Sequence, residues 1–149
     1  LLPGDTFRCG EAGHMTLIPD GKPCYCGKTG CVDAYCSARL LSDLSGGRLE
    51  DFFLGLQQNN PDYRSVWDTY LKHLAVVINN LHMLLDYDIV LGGYVGSFLT
   101  PWLDTIRHLV AERNTFADDG SFVKLCTYQT GAAAYGAAMD VMEEFLRTV

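Results

Sequence analysis

The spacing of apolar residues changes along the chain, and each change marks an element. Residues 1 to 31 keep no period, because Gly recurs at 4, 10, 13, 21, 27 and 30 and Pro at 3, 19 and 23. Such punctuation predicts a short hairpin followed by a knuckle. From Val32 to Leu44, the residues Tyr35, Leu40, Leu41 and Leu44 predict a helix that stops before Gly46-Gly47, and a second short helix follows over Leu49 to Gln57. Asn59-Asn60-Pro61-Asp62 reads as a helix start. Asn60 caps it, Pro61 takes the first helical position, and Asp62 favours the positive end of the dipole. Val66, Tyr70, Leu74, Val77, Leu81 and Leu84 then recur every three or four residues, predicting a long core helix to Leu85.

Beyond that helix the pattern alternates. Asp88-Ile89-Val90-Leu91 is short, β-branched and ended by Gly92-Gly93, which predicts a buried strand. Thr100-Pro101-Trp102 opens a helix, with a start as early as Ser97 also compatible, and Leu103, Ile106 and Val110 line one face. Residues 114 to 121 form a polar loop and Phe122 to Tyr128 a second strand. Thr130 is placed to cap a terminal helix from Gly131 towards Arg147. Helices alternating with strands indicate an α/β layer. Two strands alone leave sheet edges open, so either the hairpin or a further part of a longer protein is expected to complete the sheet. The start, Leu1-Leu2-Pro3-Gly4-Asp5, lacks Met and is read as lying within a longer chain.

Composition narrows the function. At 149 residues and 48% hydrophobic content, one core and one domain are expected. The chain has neither an apolar run of about eighteen residues nor a leader-like start, so a soluble cytoplasmic protein without a membrane partner is expected. The net charge of -7 argues against nucleic-acid binding by this segment, since neutralising phosphates needs clustered Lys and Arg.

Of the six cysteines, three crowd into Cys24-Tyr-Cys26-Gly-Lys-Thr-Gly-Cys31. Gly27 and Gly30 let the backbone turn tightly enough for those thiolates to converge, and His14 can fold back across Pro19, Asp20-Gly21 and Pro23 as a fourth ligand. Cys3His is a common closed zinc set, and a set with no open position for water is structural rather than catalytic. A reduced thiol cluster and a disulfide within the knuckle are the alternatives. Cys9, Cys36 and Cys126 are expected to be small buried hydrophobes, and His73, His82 and His108, which lack paired ligand spacing, to be solvated or hydrogen-bonded core residues.

Glu11-Ala12-Gly13-His14-Met15, followed by Cys24-x-Cys26-Gly27-x-x-Gly30-Cys31-x-Asp33, closely resembles the ROK family of repressors, open reading frames and sugar kinases. Ile89-Val90-Leu91-Gly92-Gly93-Tyr94-Val95-Gly96 and Thr130-Gly131-Ala132-Ala133-Ala134-Tyr135-Gly136-Ala137-Ala138 resemble later elements of the same family, so the likeness covers nearly the whole chain. The resemblance implies one lobe of an actin-like ATPase (ribonuclease H-like) α/β fold with an amino-terminal zinc knuckle over residues 1–33 and an α/β core over 34–149. The amino-terminal lobe and any DNA-binding domain would lie outside this chain.

The resemblance also implies a sugar ligand held by Glu11, His14 and Asp33, and an adenosine-side turn at Gly92-Gly93. Carboxylates accept from sugar hydroxyls, and an imidazole bound to a metal through one nitrogen presents the other outward. On their own residues the alternatives stay open: Glu11 as a solvated loop carboxylate, Asp33 as a stabiliser of the first helical turn, Gly92-Gly93 as a bare strand-to-helix turn. In the kinases that the resemblance points to, Glu usually stands where this chain has Asp33, and bulky Tyr94 follows the glycine pair. The reading is the sugar-effector-binding and oligomerising half of a ROK-type transcriptional regulator, reaching DNA only through a domain outside this chain. The alternative is the carboxyl-terminal lobe of an ATP- and Mg2+-dependent sugar kinase, whose phosphate loop and catalytic Asp would lie in the other lobe. A homo-oligomer is expected, and no catalytic residue is assigned within this chain.

Overall fold

The structure, a computed structural model, describes residues 5–6, 9–116, 118–128 and 131–148. The chain groups into two compact units, residues 1–77 and residues 78–149.

In the first unit the glycine-punctuated segment forms a 3-10 turn at Ala12–His14 and antiparallel bridges pairing Thr16 with Cys31 and Pro23 with Thr29. The predicted helix over 32–44 is broken in two. Helix α1 spans Asp33–Cys36 and α2 spans Ala38–Ser42, with Ser37 extended (φ -83°, ψ 154°) between them. Ser37 competes with helix continuation because its hydroxyl accepts from the Leu40 amide and caps α2 instead. Helix α3 spans Leu49–Gln57 and α4 spans Pro61–Leu85, within the bounds that the pattern sets. Asn60 Oδ1 accepts from the Asp62 and Tyr63 amides at 3.0 and 3.2 Å, the cap expected of it.

The core of this unit is aromatic. Phe52 and Phe53 of α3 meet Trp67 of α4 edge-on, at centroid separations of 6.3 and 5.1 Å, and Trp67 stacks on Tyr70 at 5.1 Å. Leu41, Phe52, Trp67, Leu71 and Ala75 are fully or almost fully buried. The buried stripe of α4 runs through Trp67, Tyr70, Leu71, Ala75, Val77 and Ile78; Tyr70 and Val77 are buried as predicted, whereas Val66, Leu74 and Leu81 are half-buried and Leu84 is 76% exposed. The indole at 67, rather than Val66, is the side chain large enough to fill the space beside α3.

The second unit begins with the last turns of α4 and continues through β1 (Ile89–Leu91), α5 (Gly93–Gly96), a 3-10 turn at Thr100–Trp102, α6 (Leu103–Ala111), β2 (Val123–Leu125) and α7 (Ala132–Thr148). The strands pair in parallel, Ile89 with Val123 and Leu91 with Leu125, as a helical crossover between them requires. Both strands are shorter than predicted. Moreover, β1 is not a buried strand: Val90 is 59% exposed, and its register partner Lys124 is exposed on the same face, while Val123 is buried on the other. Arg107 of α6 donates from Nε and Nη2 to the Val123 carbonyl at 3.2 and 3.0 Å, tying helix to strand. Helix α7 has no buried residue. The predicted Thr130 cap lies outside the described residues. No helix among the described residues is long and apolar enough to cross a membrane.

Candidate functional site

Backbone bonds bring the knuckle together. The Cys24 amide donates to the Lys28 carbonyl (2.8 Å) and Gly27 to Cys24 (3.0 Å), while Leu17 and Ile18 both donate to Gly30 and Val32 donates to Met15. The turn needs left-handed backbone at Gly27 (φ 84°) and Gly30 (φ 79°), which glycine adopts without strain. As a result, His14, Cys24, Cys26 and Cys31 converge, with their ligand atoms all within 4.8 Å of one another.

Two of the separations match the edge of a tetrahedral metal site. Four ligands at a zinc–sulfur distance of about 2.3 Å stand about 3.8 Å apart. Here Cys26 Sγ lies 3.7 Å from Cys31 Sγ, and Cys24 Sγ lies 3.9 Å from His14 Nδ1. Burial pushes the Cys31 thiol up to about 11, whereas the Lys28 backbone amide lowers Cys26. A cation at the centre would displace the thiol protons and satisfy the buried sulfur charge.

The outward nitrogen of His14 faces a second group of residues. Asp33, the first residue of α1, directs its carboxylate not to a helix amide but to the Tyr25 hydroxyl, which donates to Oδ2 at 2.8 Å. The same hydroxyl stands 3.4 Å from His14 Nε2. The bond to Asp33 raises the Tyr25 phenol to about 12, and the nearby charge of Glu11 adds to the rise. Glu11 itself is exposed and precedes the turn that carries His14. Gly13 makes this approach possible, since a side chain there would meet Asp33 Oδ1 at 2.5 Å.

His14 and Asp33 therefore meet at the Tyr25 hydroxyl within the first unit, and Glu11 precedes the turn that carries His14. Tyr25, between the candidate ligands Cys24 and Cys26, was not singled out by sequence reasoning. Gly92 and Gly93 lie in the second unit at the end of β1, with Gly93 left-handed (φ 71°) and Tyr94 73% exposed. A side chain at Gly92 would touch Cys126 Cβ at 3.0 Å.

The remaining cysteines and histidines stand apart from the cluster. Cys9 is exposed, not buried as expected, because it sits in a turn with left-handed Gly10 (φ 93°) rather than in a core element. Cys36 and Cys126 are only partly buried. His73 meets the Tyr35 ring edge-on, His82 stacks on Phe122 at 3.5 Å and bonds the Tyr87 carbonyl through Nδ1, and His108 faces Glu112.

The chain is similar to several known proteins. A glucokinase of Halalkalibacterium halodurans is 27% identical over 97% of this chain and 51% of its own length. An N-acetylmannosamine kinase of Escherichia coli is 30% identical over 64% of this chain and 35% of its own length. The chain thus spans about half of the glucokinase and about a third of the N-acetylmannosamine kinase. A crystal structure of a ROK hexokinase from Thermus thermophilus superposes with a TM-score of 0.61 at 25% identity, covering 74% of this chain and 40% of that one. Its fold makes the mixed helix-and-strand architecture here that of an actin-like ATPase. The profile of the ROK family matches residues 2–144, and the chain belongs to that family.

Proposed function

We propose that this chain is the sugar-binding, zinc-held part of a ROK sugar kinase acting on a hexose or an N-acetylated hexose. The observation that carries the reading is the convergence of His14, Cys24, Cys26 and Cys31, with His14 Nε2 and Asp33 turned to a common point beside it. Bound zinc would supply structure rather than Lewis-acid chemistry, because one imidazole and three thiolates complete its tetrahedron. His14 Nδ1 faces Cys24, so Nε2 is left to carry the proton and donate outward. Asp33 accepts from the same sugar hydroxyl, and Glu11 from a neighbouring one.

The kinase reading draws on the glucokinase, N-acetylmannosamine kinase and hexokinase to which the chain is similar. Under it, ATP with Mg2+ would supply the phosphoryl group, and the Gly92-Gly93 turn would let a nucleotide approach the backbone. A second reading, the effector-sensing half of a ROK transcriptional regulator, is favoured by one observation. Asp33 is a methylene shorter than the Glu of family kinases, which suits a site that senses a sugar without positioning it for transfer.

Elemental analysis and calorimetric titration with D-glucose and N-acetyl-D-mannosamine test the proposal. Stoichiometric zinc is expected, and Glu11→Gln should weaken sugar binding about tenfold while leaving zinc content unchanged. Protein purified without metal, or equal affinity before and after the substitution, would refute the corresponding part. ATP-dependent phosphorylation of either sugar separates the kinase from the regulator.

A further inference from the structure

The Tyr25 phenol does what a sugar hydroxyl would do. It donates to Asp33 Oδ2 at 2.8 Å and stands 3.4 Å from His14 Nε2, the nitrogen left protonated when Nδ1 faces the metal ligands. One oxygen thus donates to the carboxylate and is placed to accept from the imidazole. Two hydroxyls cannot occupy that point together. Yet the ring is lightly held. Tyr25 is 77% exposed, and its aromatic contact is an edge-on one with His14 at 5.2 Å. Its backbone is fixed by the knuckle, through the Cys24–Lys28 and Gly27–Cys24 bonds, so the side chain can rotate away without disturbing the ligand cysteines on either side.

We propose that Tyr25 is a gate in the sugar site: its hydroxyl occupies the His14–Asp33 point until a ligand hydroxyl displaces it. This rests on the sugar-binding reading given above. The gate makes the site selective as well as weaker. A ligand that can both donate to Asp33 and accept from His14 regains what the phenol gives up, whereas one lacking a hydroxyl at that position leaves a carboxylate unpaired and does not compete. The shorter Asp33 fits this arrangement, since the phenol reaches it from the adjacent turn.

The test uses the full-length, zinc-loaded protein, titrated with D-glucose and with N-acetyl-D-mannosamine. Wild type, Tyr25→Phe, Asp33→Asn and the double variant are compared, with zinc content measured for each. Tyr25→Phe keeps the ring but frees Asp33, and should tighten binding about three- to tenfold. In the Asp33→Asn background the same change should have no such effect. Unchanged or weakened binding by Tyr25→Phe, alongside weakened binding by Asp33→Asn, removes the gate and leaves the sugar site standing. Affinity unaltered by Asp33→Asn overturns the sugar site and the gate together, as does failure of both wild type and Tyr25→Phe to bind either sugar. Binding by Tyr25→Phe alone supports the gate. Should Tyr25→Phe lose zinc, wild-type protein carrying 13Cζ-tyrosine decides. Saturating sugar should then shift the Tyr25 resonance, and a resonance that does not move overturns the proposal.

Discussion

In α3 and the first turns of α4, Phe52, Phe53, Leu56, Trp67, Tyr70, Leu71 and Ala75 are buried against one another. Across residues 11–31 the buried side chains are Cys24 and Cys31, both of them candidate metal ligands. The first region is held by apolar area, at about 1.5–3 kcal/mol for each large side chain. The second has almost no such area, and its antiparallel bridges are isolated pairs rather than a sheet. A segment of that kind cannot offset its own ordering entropy by burial. The comparison teaches where each kind of damage should spread: loss of metal should dissolve the knuckle and spare the aromatic core, while loss of a core ring should do the reverse.

Metal removal is the strongest way to break that contrast. Structural zinc contributes about 10 kcal/mol or more to the order of small zinc modules. Chelation, or Cys31→Ser, should therefore abolish hydrogen-exchange protection at Leu17, Cys24 and Val32 while α3 and α4 keep theirs. Equal protection with and without metal would show that the bridges hold the knuckle unaided. The converse variant, Trp67→Ala, removes an indole with 0% exposure and should cost about 3–5 kcal/mol in urea unfolding. Zinc content should not change. Loss of zinc in Trp67→Ala protein that remains folded would mean that the two regions are not independent.

How much of this was legible follows from the range of each interaction. The Asn60-Pro61-Asp62 start and the bounds of α3 and α4 are local, so propensity and capping chemistry sufficed. The convergence of His14, Cys24, Cys26 and Cys31 was readable because cysteines at that spacing around glycines have few other uses. The α4 stripe matches the predicted one at Tyr70 and Val77 but not at Val66, because its face there is chosen by α3, which packs the Trp67 ring. The break at Ser37 turned on one hydroxyl preferring the Leu40 amide, a choice that apolar periodicity does not record. Tyr25 escaped notice for a different reason. Its role depends on where Asp33 and His14 meet, and no spacing rule gives that point.

The smallest effect concerns pH, and it sharpens the comparison from the core side. His73 of α4 lies edge-on to Tyr35, which Lys22 overhangs at 5.2 Å from the ring centroid. Burial, and then the positive charge of Lys22, hold the His73 imidazole below its ordinary value of 6.5. Above that value the ring is neutral in both folded and unfolded chains, so it contributes no pH dependence. As pH falls through 6.5 the unfolded chain takes up the proton first, which favours unfolding, and the loss is complete below the depressed folded value. Metal affinity at thiolate and imidazole ligands also falls with pH, so under the zinc proposal the knuckle adds its own acid sensitivity to the wild-type curve. The difference between wild type and His73→Gln isolates the core term. Comparing urea midpoints at about pH 7.5 and about pH 5.5, the variant should lose less stability than wild type on acidification, by a modest margin. Identical losses in the two proteins would assign the whole acid sensitivity of the first unit to its knuckle.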